Sequence, residues 1–486
     1  MEKELKSQLR QIVGERWFLD TPDELYVYSY DATPLYQAMP DAVVMPSSVE
    51  EIAAVLKIAN QHRIPIVSRG SGTNLCGGTV PTEGGIVLVT NRLNGLQEID
   101  EENLTATFGP GLITSELHQA VEARGLFYPP DPGSMRISTM GGNVAECAGG
   151  MRGLKYGVTK DYIMGLQAVL PNGEVLRFGG KNAKDVAGYD ITKLLVGSEG
   201  TLAVVTEITA KLLPLPKAKQ TMVAYFSDLT DAARTVQRVI AERIIPATME
   251  FLDQATMRVV EEFARIGLPL DMKAMLLIEQ DGDPLQVEQD MIRIAEIAHA
   301  ERAVEVRTAQ HAEEGAKLMA ARRAALSALS RVKPTTILED ATVPRARLAE
   351  MVDQIGVIAN KYSVPICTFG HAGDGNLHPT CMTDERDTEE IHRVEMAFGE
   401  IFEAAIKLGG TITGEHGVGI AKAPYLEWKV GAGGIDLMKR VKEAFDPHGI
   451  MNPGKMFAKD QRRRVVVKTH GCAHEHVGGG HGHSRA

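Results

Sequence analysis

Apolar residues run along the chain at two alternating spacings. In residues 42–46 (AVVMP) they are consecutive, as in a short buried strand. In residues 47–63 (SSVEEIAAVLKIANQHR) they recur with a helical period behind a serine and two glutamates, which predicts a capped amphipathic helix. Residues 64–70 (IPIVSRG) read as a strand again, and such alternation predicts α/β or α+β layers. Residues 1–40 read as helical and connecting, and the prolines of LLPLPK at 212–217 predict a linker. Beyond it, residues 220–365 mix strands with long helices, VEQDMIRIAEIAHAERA at 287–303 among them. A buried strand is predicted over 364–369, and amphipathic helices over 385–408 and 435–446. From 459 onward no period survives except one short VVV, so order is expected to fade there.

Glycine-dense stretches interrupt this pattern. SRGSGTNLCGG (68–78) follows a predicted strand. It matches neither GxxxxGK[ST] nor GxGxxG, because Leu75 stands where the third glycine would be. A tight structural turn and a backbone cradle for phosphate suit it equally. DPGSMRISTMGGNVAECAGG (131–150) puts Ser134, Ser138, Thr139, Gly141, Gly142 and Asn143 into what reads as one irregular loop. Neutral donors and bare backbone of this kind suit a diphosphate and a flat heteroaromatic ring. A third stretch, 184–208, passes through SEGT into a strand of β-branched residues, with Glu199, Gly200 and Thr201 at the strand entry.

Composition narrows the possibilities. The 486 residues suffice for two or three domains. A formal charge of −11 and the lack of a basic, aromatic-interleaved stretch exclude a general nucleic-acid binder. No apolar run approaches the ~18 residues of a membrane span. The charged N-terminus MEKELKSQLR does not read as a signal peptide. The five cysteines form no CxxC pair, as expected in a reducing cytoplasm and not for a cysteine-ligated cluster. The expected location is cytoplasmic, or peripheral to a membrane.

Three glycine motifs in this order and spacing make residues 42–205 resemble the FAD-binding domain of the vanillyl-alcohol-oxidase superfamily. The resemblance implies that Arg69, Gly70, Ser71, Gly72 and Thr73, with Gly77 and Gly78, bind the FAD diphosphate. It implies that Pro132, Ser134, Thr139, Gly142, Asn143 and Gly149 line ring and diphosphate, and that Glu199, Gly200, Leu202 and Val204 surround the adenine end and sugar. Covalent members carry histidine where this chain has Thr73, and Cys147 lies beyond the glycine pair, so non-covalent FAD is expected.

The second half holds FGHAGDGNLHPT (369–380) and TITGEHGVG (411–419). Two interior glycines forbid a helix that would align His371 with His378, so the chain must fold back to bring them together. Two histidines and a carboxylate such as Glu415 are a common shell for a catalytic divalent ion, and also an ordinary buried polar corner. These motifs resemble the C-terminal domain of flavin-linked 2-hydroxyacid dehydrogenases, extending the resemblance over about residues 20–457. It implies His371, His378 and Glu415 as ligands of zinc, iron or manganese, His416 as catalytic base poised near neutral pH, and Arg322 of AARRAALSAL as clamp for the substrate carboxylate. Leu338 and Thr380 stand where the 2-hydroxyglutarate enzymes carry lysine and asparagine, which points to D-lactate or glycolate. The alternatives are a D-2-hydroxyglutarate dehydrogenase and a non-redox alkyl transferase on the same fold.

The expected architecture is therefore α+β. A two-subdomain FAD-binding domain of the vanillyl-alcohol-oxidase type spans 1–215, and an α+β substrate-binding cap with a mostly antiparallel sheet and the metal site spans 216–430. Residues 431–458 are expected to return to the FAD domain, and 459–486 to form a disordered tail in which His470, His474, His476, His481 and His483 bind metal weakly at most. With no NAD fingerprint, the electron acceptor is expected to be an electron-transfer flavoprotein, an iron–sulfur subunit or a quinone.

Overall fold

The computed structural model describes residues 1–457. The histidine-rich tail lies outside the described residues.

The predicted alternation over 42–70 folds into the strand Ala42–Val44, the helix Val49–His62 and the strand Ile66–Arg69. Ser48 starts that helix: its Oγ accepts a hydrogen bond from the Glu51 N–H at 3.2 Å. Both strands pair parallel with Ile86–Val89, and Phe18–Leu19 closes the four-stranded sheet antiparallel. A second sheet of five antiparallel strands follows, in the order Leu96–Asp100, Thr105–Phe108, Val204–Lys211, Ile163–Val169, Val175–Gly179. Each sheet has its own apolar core. The glycine-rich stretch 68–78 leads between two strands of the first sheet, and 131–150 between two strands of the second. The proline stretch is not merely a linker, since Leu213–Pro214 pairs with Leu126–Phe127.

Residues 131–150 depart from the single loop expected of them. Met140–Glu146 is helical, started by Thr139, whose Oγ1 accepts from the Gly142 N–H. The glycine pair falls inside this short helix despite the low helix propensity of glycine, and Gly141 packs where a Cβ would lie 2.6 Å from Pro110 Cβ.

The second half is built on an eight-stranded sheet. Its main order is Glu305–Thr308, Ala218–Phe226, Ala274–Gly282, Thr248–Asp253, Ile366–His371, Asn376–Thr383, Thr335–Leu338, with Ala341–Thr342 also paired to Asn376–Thr383. All these pairings are antiparallel. Helices cover both faces, so the strands carry apolar residues on both. Met222, Ala224 and Phe226 join the core beneath the helices Leu229–Ala241, Pro284–Ala300, Leu348–Tyr362 and Thr388–Lys407. Val223 and Tyr225 join the opposite core, with the helices Gln254–Ala264 and Ala312–Arg323. The polar site lies on this second face.

The chain then returns to the first sheet. Gly431, at φ 71°, kinks the helix Leu426–Phe445. Beyond it, the Ile66 N–H donates to Ile450 O and the Asn452 N–H to Ile66 O. Asn452 Nδ2 also donates to the carbonyls of Gly78 and Glu199, fastening two glycine loops at once. Among the described residues no helix is long and apolar enough to cross a membrane.

Candidate active site

FGHAGDGNLHPT forms a β-hairpin. Ile366–His371 and Asn376–Thr383 pair with His371 opposite Asn376 and Phe369 opposite His378. Residues 372–375 make the turn. Gly375 is required there: its φ is 78°, and a Cβ would lie 2.2 Å from Val343 O. Folding back by strand pairing brings the two imidazoles together with ring centroids 5.0 Å apart. The next neighbour strand, Thr248–Asp253, sets Glu250 directly opposite His371.

The loop 411–419 reaches over this face. His371 Nε2 lies 2.9 Å and His378 Nε2 3.4 Å from the same oxygen, Glu415 Oε1. Behind the rings, His371 Nδ1 lies 2.7 Å from Glu250 Oε1, and His378 Nδ1 3.1 Å from Asp340 Oδ1. His416 stacks on His378 with centroids 5.1 Å apart, and its Nδ1 is also 3.1 Å from Asp340 Oδ1. The other Asp340 oxygen accepts from the N–H groups of Gly414, Glu415 and His416 and from Thr413 Oγ1. Fully buried Lys422 balances it at 3.5 Å. Asp340 thus sets the shape of the whole GEHG turn.

The residues fit a divalent cation. Two imidazole Nε2 atoms and a carboxylate oxygen converge, and each ring has its second nitrogen on a buried carboxylate, the usual arrangement behind metal-ligating histidines. Donor atoms of Asp340, His378, Glu415 and His416 also lie within 4.8 Å of one another. Burial disfavours charge on His371, yet Glu250 and Glu415 outweigh it and hold its pKa well above the ordinary value. Burial likewise opposes ionisation of Glu415, but His371 beside it pulls that carboxyl well below its usual range. A proton bridging ligand atoms is what a cation displaces. His416 differs from expectation: burial, reinforced by the Lys422 ammonium, pushes it down to about 4 despite Asp340. It is therefore a neutral imidazole at pH 7.

Arg322 and Arg323 end the helix Ala312–Arg323. Arg322 is buried, stacks over the Phe369 ring at 4.7 Å and sits 2.5 Å from Glu250 Oε2. Its Nε and Nη2 make no hydrogen bond of good geometry. Arg323 turns the other way, to Asp131 of the first-half loop at 3.3 Å.

A cavity of about 810 Å³ joins the two halves. Its wall contains Arg69, Gly70, Ser71, Gly72, Thr73, Gly78, Pro132, Ser134, Thr139, Gly142, Asn143, Gly149, Gly200 and Val204 from the glycine stretches. It also contains Arg322, His371, His378, Glu415 and His416. Gly149 sits where the halves meet: a Cβ there would lie 2.5 Å from Glu415 Oε2. Gly77 and Leu202 are not in the wall. Gly77 packs against Tyr36 and Ile420 and donates its N–H to Thr33 Oγ1, while Leu202 is drawn into the core of the five-stranded sheet by its apolar side chain. Glu199 borders the cavity, but its carboxylate accepts from the N–H groups of Val418 and Gly419, locking the histidine-bearing loop to the first half. The Arg69 guanidinium, too, donates to Tyr30 O and Thr79 Oγ1.

Sequence reading missed Glu250 and Asp340. Neither lies in a motif, and the only trace of Asp340 is an acidic pair, Glu339–Asp340, inside an otherwise apolar strand region.

Comparison with known proteins agrees with this geometry. Models of an FAD binding domain and of the C-terminal domain of FAD linked oxidases match residues 40–179 and 215–456. Solved structures of p-cresol methylhydroxylase (TM-score 0.79, 17% identity, 94% of this chain and 96% of that one) and alkyldihydroxyacetonephosphate synthase (0.74, 20%, 93% and 86%) share the fold. The molecule is thus an FAD-binding oxidoreductase of the vanillyl-alcohol-oxidase fold. Within that class the chain belongs to the family that includes the glycolate oxidase subunit GlcD and the D-lactate dehydrogenases. It is 62% identical to GlcD of Bacillus subtilis (strain 168), over 96% of this chain and 99% of that protein. It is 37% identical to GlcD of Escherichia coli (strain K12), over 92% and 89%. To a D-lactate dehydrogenase of Anaerostipes hadrus it is 35% identical, over 93% and 95%.

Proposed function

We propose that this chain oxidises a small D-2-hydroxy acid, D-lactate or glycolate, to the 2-oxo acid. The observation that carries the reading is the single cavity running from the glycine loops to His371, His378, Glu415, His416 and Arg322. FAD and a divalent ion supply, when bound, the hydride acceptor and the acidity that loosens the substrate hydroxyl proton. His371, His378 and Glu415 hold the ion. Thr73 in the cavity wall and Cys147 outside it support FAD held without a covalent bond.

Arg322 receives the substrate carboxylate. It is buried, its donors are poorly used by the protein, and a planar guanidinium matches a carboxylate in two hydrogen bonds. This orients the substrate Cα. His416 takes the hydroxyl proton. Asp340, 3.1 Å from its Nδ1, stabilises the imidazolium that forms. Leu338 and Thr380 face each other in register on adjacent strands, and Leu338 borders the cavity. A second substrate carboxylate would find no cation there, which favours a monocarboxylate over 2-hydroxyglutarate. Electrons pass on to a partner protein (an electron-transfer flavoprotein or an iron–sulfur subunit) or a quinone, since the chain offers no cysteine cluster.

Anaerobic mixing with D-lactate or glycolate is expected to bleach the flavin absorbance, with D-2-hydroxyglutarate much slower. Dialysis against a chelator is expected to abolish bleaching while the protein stays yellow. Metal-replete protein that bleaches with none of these acids would sink the proposal.

A further inference from the structure

Glu250 lies outside every motif, is fully buried, and sits at the junction of two groups with different tasks. Register puts it there: Glu250 and His371 are directly paired residues on neighbouring strands, so their side chains leave the sheet on the same face. One carboxylate oxygen lies 2.7 Å from His371 Nδ1, and the other lies 2.5 Å from Arg322 Nη2. A carboxylate sealed from water must be paired with cations or donors. Here both partners belong to the proposed chemistry, one holding the ion and the other the substrate. Arg322 reaches it from the helix Ala312–Arg323 and His371 from the sheet, so this carboxylate is also where the helix layer is registered against the hairpin.

We propose that Glu250 is a positioning residue that couples the metal ligand His371 to the carboxylate clamp Arg322, one oxygen for each. The inference rests on the functional reading above. On the His371 side, the carboxylate orients the ring and leaves Nε2 facing the ion. On the Arg322 side, it holds one edge of the guanidinium and leaves Nε and part of Nη2 for substrate. The two tasks are linked, because any shift of the shared carboxylate moves both partners. By thermodynamic reciprocity, occupation of the ion site then tightens substrate binding, and substrate tightens the ion.

The test is the variant Glu250→Gln, which keeps shape and length but offers one acceptor oxygen and an amide that cannot accept. Manganese and zinc retention after dialysis is measured by elemental analysis, alongside flavin content from the visible spectrum. Ion affinity is expected to fall about tenfold or more, the scale typical of partners behind a metal ligand, with flavin content unchanged. In excess Mn²⁺, KM for D-lactate or glycolate is expected to stay raised, because the Arg322 half of the defect is not cured by metal. Also in excess Mn²⁺, the double variant E250Q/R322M is expected to raise KM no further than R322M alone, since with the ion site filled Glu250 acts on substrate only through Arg322. Should E250Q fail to fold, Glu250→Asp decides: it keeps the charge but is one methylene too short to reach both partners. It is then expected both to weaken ion retention and to raise KM, each relative to wild type. Wild-type ion retention and wild-type KM in a folded variant would overturn the coupling while leaving the functional reading intact. A wild-type chain that retains no ion and oxidises no 2-hydroxy acid would instead overturn the functional reading, and this inference with it.

Discussion

Arg322 and Arg323 are adjacent in sequence and part company in the fold. Residues next to each other on a helix point about 100° apart, so one enters the site and the other crosses to Asp131. A basic pair on a helix usually belongs to a solvated face, and sequence spacing alone does not say which arginine turns inward. Burial decides between them: Arg322 is 6% exposed and stacked on Phe369. Arg322→Lys is therefore expected to raise KM for the hydroxy acid by about tenfold or more, since an ammonium offers a point charge in place of a two-pronged donor. The expected effect on flavin content is nil. Steady-state kinetics beside a visible spectrum checks both, and an unchanged KM would remove Arg322 from substrate binding. Glu199 teaches the converse. Its place in a recognisable motif was legible, but its carboxylate serves the Val418 and Gly419 amides.

The hairpin is the element on which the site depends. Strand pairing places His371 and His378 on one face, and the turn works only if residue 375 takes a left-handed conformation with no side chain. Gly375→Ala is expected to destabilise the protein by about 1–3 kcal/mol, from backbone strain and the clash with Val343 O. It is also expected to lower ion retention, because relieving the clash moves the strand that carries His378. Thermal unfolding and elemental analysis together test this, and retention at the wild-type level would show that the turn does not set the hairpin register. The helix Val49–His62 was legible from its period and its Ser48 cap, whereas the helix expected over 435–446 begins earlier, at Leu426. The short helix Met140–Glu146 was not legible, because two glycines mask it and only the Thr139 cap reveals it.

At the scale of the molecule, the contact between halves is electrostatically dense. Asp131 faces both Arg152 and Arg323, and His118 lies in the field of these groups with Nε2 3.0 Å from Pro130 O. Burial, aided by Arg152, pushes His118 down from its ordinary 6.5 to about 4. Between those values the unfolded chain binds more protons than the folded one, so stability falls as pH drops through that window. The contribution from His118 is up to about 3 kcal/mol. His118→Gln is expected to make the dependence of Tm on pH shallower between 6.5 and 4, with little change above 7. Parallel slopes for variant and wild type would show that His118 does not carry the acid sensitivity.

The glycine motifs, the helix caps and the two histidine stretches were readable along the chain because each depends on residues close in sequence: a turn needs its glycine, and a helix needs its cap and its period. They were enough to indicate an FAD-binding half and a cap half, and to single out His371, His378, Glu415 and His416. The chain alone could not pair Glu250 with His371, nor Asp340 with two imidazoles and a turn of backbone. Those contacts span 121 residues for Glu250 and His371, and 38 to 76 for Asp340 and its partners. They arise from strand order in the eight-stranded sheet and from the loop 411–419 folding over its face. A buried carboxylate has no sequence period of its own, and what it binds is settled by which strand, helix or loop becomes its neighbour.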